Sequence, residues 1–414
     1  MLRLQAVLGI VALIGFAWAI SENRRRVRAG EILLGLFVTF LMAALMLRVP
    51  PLRHLFDILN GGVSILEEST RAGTSFVFGY IGGGPLPFNE GKPGASFVLA
   101  LQALPIVLVV SALSSLLFYW RILPVVVHAF AWVFRKTMRV GGAVGLSASA
   151  NIFLGMVESP LFVRPYLPQM TRTELFITMS CGMAGIAGTV MVLYASILGR
   201  IIPDAMGHIL IVSIISIPAA IMFSKVMVPE DGPPTEGRLS VPQPASSAMD
   251  AVTQGTVQGI ELLINIVCML VVLVALVYLA NRLLGLIPAI GGQAITLQRL
   301  LGLIMAPVVW LIGIPWSEAR TAGALMGTKT ILNEMIAYLD MAKLPAGALS
   351  AKSRLIMIYA LCGFANPGSL GIMIGGMGSM VPGRRTEIIG LGVKSIVAGT
   401  LATLLTGAIV GILT

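Results

Sequence analysis

Charged side chains make up only 11% of the 414 residues, against 57% that are hydrophobic. Soluble domains carry about a quarter charged residues, so this chain has too little polar surface to cover a water-facing globule. That excludes an ordinary cytosolic enzyme, a secreted scaffold and a nucleic-acid binder, and leaves an integral membrane protein. Cysteine is nearly absent. Cys181, Cys268 and Cys362 lie far apart in apolar stretches, which excludes a disulfide framework. His54, His128 and His208 share no spacing that would hold zinc or haem. Gly91-Lys92-Pro93 superficially resembles a phosphate loop but lacks the hydroxyl residue and a preceding strand. A nucleophile elbow and a dinucleotide fingerprint are also missing. Neither enzymatic chemistry nor a bound cofactor is expected.

What the chain does have is long apolar runs. A bilayer core needs about 20 apolar residues per helix. Clear spans are expected at 4–20, 31–49, 98–119, 174–198, 207–228, 261–280 and 386–413. Met1 to Ile20 carries Ala17-Trp18-Ala19, which imitates a signal-peptidase site, but Arg24-Arg25-Arg26 and Arg28 follow at once. Such a basic cluster resists export and predicts a retained first helix with its amino terminus outside. The net charge of +10 then marks cytoplasmic loops rather than an anionic partner. Residues 50–95 are rich in Gly and Pro and read as a loop, and 229–250 as a polar linker. Residues 121–140 have the amphipathic pattern of a helix lying in the membrane interface, or of a polar loop.

Three apolar stretches are broken rather than continuous. Residues 143–163 hold Asn151, Gly155, Glu158, Ser159 and Pro160; residues 315–345 hold Glu318, Arg320, Lys329, Asn333 and Glu334; residues 353–380 are interrupted at Asn366-Pro367-Gly368-Ser369. Gln102-Ala-Leu-Pro105 opens a helix leading to the first of these, and Leu303-Ile-Met-Ala-Pro307 one leading to the second. Paired broken segments in two corresponding halves point to an inverted-repeat transporter with its site near the midplane.

Glu158 and Glu334 are the sharpest residues. A carboxylate in an apolar segment costs about 2.5–3.5 kcal/mol on insertion scales, so it faces a cavity or a partner. The partner could be structural, Glu158 with Arg164 or Glu334 with Lys329. Gly155-Met-Val-Glu-Ser-Pro160 has the composition of a hairpin tip, tolerated in a membrane where irregular backbone lines a cavity. Asn366-Pro-Gly-Ser369 is either a second unwinding point or a plain proline kink. Gly141-xxx-Gly145 and Gly371-xxx-Gly375 would allow close helix packing.

The chain resembles the concentrative nucleoside transporter family along nearly its whole length. The resemblance is carried by Ser75-Phe-Val-Phe-Gly79, Gln102-Ala-Leu-Pro105, Gly155-Met-Val-Glu-Ser-Pro160 running to Val163-Arg-Pro-Tyr-Leu167, Gly327-Thr-Lys329 with Asn333-Glu334, and Leu361-Cys-Gly-Phe-Ala-Asn366. It implies an all-α polytopic fold with about eight spanning helices, two re-entrant hairpins, interfacial helices and an inverted-repeat transport domain. It also implies cation-coupled nucleoside uptake across a bacterial inner membrane by a homotrimer. Carried over by motif position, Glu334 beside Asn333, with Asn366 and Ser369, would hold ribose hydroxyls. Met156, Val157 and Glu158 would face the base, and Phe364 would pack on it. A cation would lie between Asn151, the Leu154 carbonyl, position 185 and the Ile186 carbonyl.

Two departures matter. Relatives often place polar residues where this chain has Met156 and Val157, which removes side-chain hydrogen bonds to the base. Sodium-dependent relatives place a hydroxyl residue at the position of Gly185, which leaves the cation site one oxygen short. That favours a proton over sodium as the coupling cation. The division expected is scaffold helices in 1–120, the first half of the transport domain in 121–228, the linker at 229–250, an interfacial segment and scaffold helix in 251–290, and the second half in 291–414. A channel or facilitator without ion coupling is the rival reading.

Overall fold

The computed structural model describes residues 2–90, 95–199, 202, 204–230, 232–237, 245–289 and 294–414. Among the described residues the regular structure is helical. In chain order the helices are α1 (Leu2–Ala19), α2 (Ala29–Arg48), α3 (Pro50–Phe78), α4 (Leu99–Gln102), α5 (Ile106–Tyr119), α6 (Ile122–Met138), α7 (Gly142–Ala150), α8 (Glu158–Leu161) and α9 (Arg172–Ala184). They continue with α10 (Gly188–Gly199), α11 (Ala205–Met227), α12 (Ala248–Leu284), α13 (Leu297–Leu311), α14 (Trp316–Ile331), α15 (Glu334–Ala342), α16 (Ala351–Leu361), α17 (Pro367–Met380) and α18 (Arg385–Leu413). Seven stretches among the described residues are long and apolar enough to cross a bilayer, or eight if α13 and α14, bent by 118°, count as one. Each expected span overlaps one of the seven, overrunning its ends by no more than a residue.

Three expectations need correction. The stretch 50–95 is not all loop: α3 runs for 29 residues, because prolines at the first helical positions lack only N–H groups that would be unpaired anyway. The span expected at 174–198 is present but not continuous, being two helices separated by Gly185-Ile186-Ala187. Helix α12 is continuous for 37 residues, so the segment expected to precede its spanning part belongs to the same helix; Ser247 caps it by accepting from the Asp250 N–H. The phosphate-loop look-alike Gly91-Lys92-Pro93 lies outside the described residues, as does part of the 229–250 linker. Amphipathic α6 is a helix as expected, burying Leu123, Val127, Ala131, Phe134 and Met138 along one stripe.

The two halves repeat one plan. In the first, α6 leads to a hairpin (α7, α8), a broken helix (α9, α10) and the long α11. In the second, α13 leads to a hairpin (α14, α15), a broken helix (α16, α17) and the long α18. Helix α11 is the centre, with 94% of its apolar window buried, whereas the window of α12 is entirely unburied. Helix α12 meets α5 where Gly255 and Gly259 lie so close that an added Cβ would fall 2.6 Å from the Ser111 carbonyl and 3.0 Å from Leu108. Helices α1 and α2 are tied elsewhere. Gly35 of α2 admits Met222 of α11, Gly9 of α1 admits the Leu311 carbonyl, and Arg48 donates to the Leu413 carbonyl at 3.1 Å. Gly371 and Gly375 face open space instead of packing; the close approach falls one residue on, where a Cβ on Gly376 would meet Val157 at 2.6 Å.

One end of the bundle is knitted by charge. Arg172 donates to both Glu22 oxygens at 2.9 and 3.1 Å, Lys394 joins at 2.6 Å, and Arg172 also reaches Glu387 at 3.5 Å. Arg384 closes the network on Glu387 at 2.7 Å. The Glu22 N–H donates to the Met227 carbonyl, so the ends of α1 and α11 and the starts of α2, α9 and α18 share this face. Arg24-Arg25-Arg26 lies beside it, the basic cluster that the sequence assigns to the cytoplasmic side. The Arg172 hydrogen bond outweighs desolvation and, with Lys394, holds the Glu22 carboxyl at about 2, below its ordinary 4.5. A lowered pKa stabilises the fold above 4.5, and the contribution fades as pH falls toward 2. Because these groups are partly exposed, Glu22→Gln is expected to lower stability by only about 1 kcal/mol at neutral pH. Thermal unfolding across pH should show the gap between wild type and variant shrinking below pH 4.5. A gap independent of pH would contradict the ionic origin.

Candidate functional site

Both broken helices unwind at the same place. The first break leaves the Gly185 carbonyl free, and it accepts the Phe364 N–H from the second break at 3.2 Å. Gly363 makes the crossing possible: its φ is 158°, and a Cβ there would lie 2.9 Å from the Ala184 carbonyl. Each hairpin tip then reaches the break of its own half. In the first, the Gly188 N–H donates to the Phe153 carbonyl at 3.0 Å. In the second, Asn366 Nδ2 donates to Glu334 Oε2 at 3.3 Å.

Local sequence explains the geometry. Asn333 has extended backbone and caps α15 by accepting from the Ile336 N–H at 2.9 Å. Asn366 caps α17 likewise, accepting from the Ser369 N–H at 2.8 Å, with Pro367 at the first helical positions. Two helix N-termini thus start beside the Glu334 carboxylate, and their unpaired N–H groups favour negative charge there. Glu334, Asn366 and Ser369 are buried, while Asn333 and Phe364 are half-buried.

The sequence reading missed Tyr194. It is the one tyrosine of α10 and is buried, and its hydroxyl donates to Glu334 Oε1 at 2.6 Å. Its ring packs on Tyr338, 5.3 Å between centroids, and the Tyr338 hydroxyl donates to the Ile358 carbonyl. A lone tyrosine in an otherwise apolar helix was the available signal. With Tyr194 on one oxygen and Asn366 on the other, Glu334 is fixed in place while keeping lone pairs for further donors. Neither structural ion pair forms. Lys329, fully buried, donates to Thr403 Oγ1 at 3.3 Å. Among the described residues the ion pairs use Arg135, Arg172, Arg384 and Lys394, not Arg164 or Lys329.

The first hairpin tip is arranged differently. Glu158 is exposed, with its carboxylate folded back over Gly155, where a Cβ would lie 2.1 Å from Glu158 Oε2. Met156 lies against Gly182 of α9, and Val157 against Gly376 of α17. Of the cation-site residues, Asn151 and Ile186 are buried and Leu154 is half-buried. Asn151 Nδ2 donates to the Cys181 carbonyl at 2.7 Å, and Asn151 Oδ1 accepts from Ser159 at 3.3 Å. The missing side chain of Gly185 decides that arrangement: a Cβ there would fall 2.6 Å from Asn151 Nδ2. The asparagine amide occupies the room a larger residue would take.

Known proteins are similar to this chain along nearly its whole length. The sequence models for the N-terminus and C-terminus of the Na+ dependent nucleoside transporter match residues 8–81 and 208–411, and one for nucleoside recognition ("Gate") matches 100–201. An uncharacterized transporter of Haemophilus influenzae is 36% identical over 99% of this chain and 97% of its own. The nucleoside permease NupC of Helicobacter pylori is 32% identical over 98% and 97%. This chain belongs to the Na+-dependent nucleoside transporter family. Among solved structures, CNTnw in an inward-facing substrate-bound state matches with a TM-score of 0.91, at 32% identity and with both chains fully covered. A doubly substituted CNTnw in an outward-facing state matches with a TM-score of 0.92, at 32% identity, over 100% of this chain and 98% of that one. The protein is a multi-pass secondary transporter that couples nucleoside movement to a cation, not an enzyme, and its bacterial relatives place it in the inner membrane.

Tyr194→Phe keeps the ring packing and removes the hydroxyl that holds Glu334. Nucleoside affinity by calorimetry is expected to fall by roughly 3–10-fold, about 0.7–1.4 kcal/mol, the size of one net hydrogen bond. An unchanged affinity would show that Asn366 and the helix N-termini position the carboxylate without it.

Proposed function

We propose that Glu334, Asn366 and Ser369 bracket the ribose hydroxyls of a nucleoside, with Met156, Val157 and Glu158 toward the base and Phe364 packed on it. The observation that carries this reading is the Glu334–Asn366 hydrogen bond, a carboxylate and an amide from two different elements held at two helix N-termini. A ribose offers hydroxyl donors to such a pair, and a site built for them leaves buried groups unpaired against a 2′-deoxy analogue. Met156 and Val157 have no hydrogen bonds to offer the base and are engaged by Gly182 and Gly376. Selection among bases then rests on shape. Glu334→Gln is expected to weaken nucleoside binding by about 1.5–3 kcal/mol, roughly tenfold to a hundredfold. Competition by calorimetry should show purine and pyrimidine ribonucleosides within about two orders of magnitude of each other (~2.7 kcal/mol). Wild-type affinity in the variant would overturn the assignment.

Alternating access would move this site between the two sides of the membrane. The close pairing of α5 with α12, and of α1 and α2 with α11, α13 and α18, supports a boundary that differs from the one expected from sequence. Helices α5 and α12 form the scaffold, and α1 and α2 travel with the repeats. The unburied face of α12 suits contact with other copies in a trimer. A permanently open channel is disfavoured by the closed packing around Glu334, which is buried with both oxygens bonded.

For the coupling cation we favour the proton, although the family is named for sodium. Sodium needs several oxygen ligands placed around it. Here position 185 supplies no side-chain oxygen, and the Asn151 amide nitrogen fills that space and donates to Cys181. Glu158 and Glu334, carboxylates flanked by apolar residues at the two hairpin tips, are the proposed proton-carrying groups. Uptake into vesicles is expected to follow an inward proton gradient and to survive replacement of sodium by choline. Strict sodium dependence with no response to pH would reverse the assignment.

A further inference from the structure

A cavity of about 250 Å3 lies where the first turn of α2 meets the last turns of α6 and α11, lined by Gly30, Glu31, Leu34, Met138, Arg139 and Lys225. It shares no lining residue with the transport site. Lys225 is only 8% exposed although it ends a helix, and its ammonium donates to the Met138 carbonyl at 2.9 Å, one of three N–H bonds. Arg139 is exposed and turns the chain at the end of α6 with φ 51°, a left-handed conformation that non-glycine residues adopt at a cost. Glu31, half-buried, stands in the first turn of α2. Arg28 and Glu230 add one further charge of each sign near Lys225. Two cations, one carboxylate and the apolar side chains of Leu34 and Met138 therefore surround a single space.

The level of this space in the membrane is marked by aromatic residues. Helix α6 exposes Ile122, Val125 and Trp132 on its outer face, and the Lys136 ammonium lies 5.1 Å from the Trp132 ring centre. At the end of α1 the Arg24 guanidinium lies 5.5 Å from the Trp18 ring centre. Tryptophan under a cation is characteristic of the membrane–water boundary, where the ring meets acyl chains and the charge meets headgroups. The cavity belongs to the same cytoplasmic face.

We propose that this cavity seats the headgroup of a phospholipid carrying both a phosphate and a primary amine. The phosphate is held by Lys225 and Arg139, the amine by Glu31, and the glycerol region rests on Leu34 and Met138. A purely anionic headgroup would leave Glu31 facing negative charge. A trimethylated amine would give Glu31 no N–H donor. Because the lining residues come from α2, α6 and α11, an occupied cavity joins three helices at their cytoplasmic ends, and binding to the folded state raises thermal stability.

The test uses the delipidated full-length protein in detergent and follows its unfolding temperature against added phosphatidylethanolamine, phosphatidylcholine, phosphatidylglycerol and soluble phosphoethanolamine. Apparent affinity for phosphatidylethanolamine is expected to be about tenfold higher than for phosphatidylcholine, the loss of about one charge-assisted contact. Glu31→Gln should erase that preference while phosphatidylglycerol gains, and Arg139→Gln should weaken both lipids without removing the Lys225–Met138 bond. Equal stabilisation by all three lipids, or a preference that survives Glu31→Gln, overturns the proposal. Stabilisation by phosphoethanolamine matching that of the lipid overturns the lipid assignment in favour of a soluble phosphate compound.

Discussion

The crossing of two unwound backbones is the constraint on which the rest of this structure depends. Inside a membrane every N–H and C=O needs a partner within the protein, so a helix cannot simply stop there. Here the first break offers the Gly185 carbonyl and the second answers with the Phe364 N–H. Gly363 lets the two backbones approach closely enough, since a Cβ there would lie 2.9 Å from the Ala184 carbonyl. Once the breaks are joined, the helices that restart from them have fixed origins. Asn366, capping α17, is then delivered beside Glu334, capped by Asn333 at the start of α15. The polar groups gathered at the candidate site are by-products of solving a hydrogen-bonding problem in a dry place.

The same constraint explains why the two ends of the site differ. At the second hairpin a carboxylate is enclosed and held from two sides by Tyr194 and Asn366. At the first, Glu158 curls over Gly155 and remains exposed, while Met156 and Val157 lock the tip against α9 and α17. The second tip is held through its carboxylate, whereas the first is held through its backbone and Asn151, with Met156 and Val157 packed into glycine-lined gaps.

Much of this was legible in the sequence, because breaks in a membrane helix need particular residues. Asn366-Pro-Gly-Ser369 and Gly155-Met-Val-Glu158 announced themselves as the places where the helical pattern fails, and both lie at the site. The apolar runs located the spans, since length and hydropathy are local properties. What stayed hidden depends on distant neighbours. Gly185 reads in sequence as a cation-site position lacking a hydroxyl, and only the arrival of Phe364 shows its carbonyl as one side of the crossing. Tyr194 reads as one more large side chain until Glu334 is placed beside it. Helix α3 hides behind its Gly and Pro residues, because prolines at the first helical positions and glycines inside a helix with other support are tolerated. The Lys329–Glu334 pair was plausible by spacing, yet Lys329 reaches Thr403 instead.

The partners at the crossing also set an order of assembly. Gly185 leaves the ribosome long before Phe364 does. At roughly 5–20 residues per second, the roughly 180 residues between them take about ten to forty seconds to synthesise. During that interval the first half has entered the membrane with an open carbonyl at its centre and no second half to close it. The cell's insertion machinery must shelter that group, or the first half must wait near the interface until the second is made. The symmetry that gives the finished transporter its site therefore leaves the growing chain with an unfinished seam, and mutations that slow the second half should be felt first as lost yield of the whole.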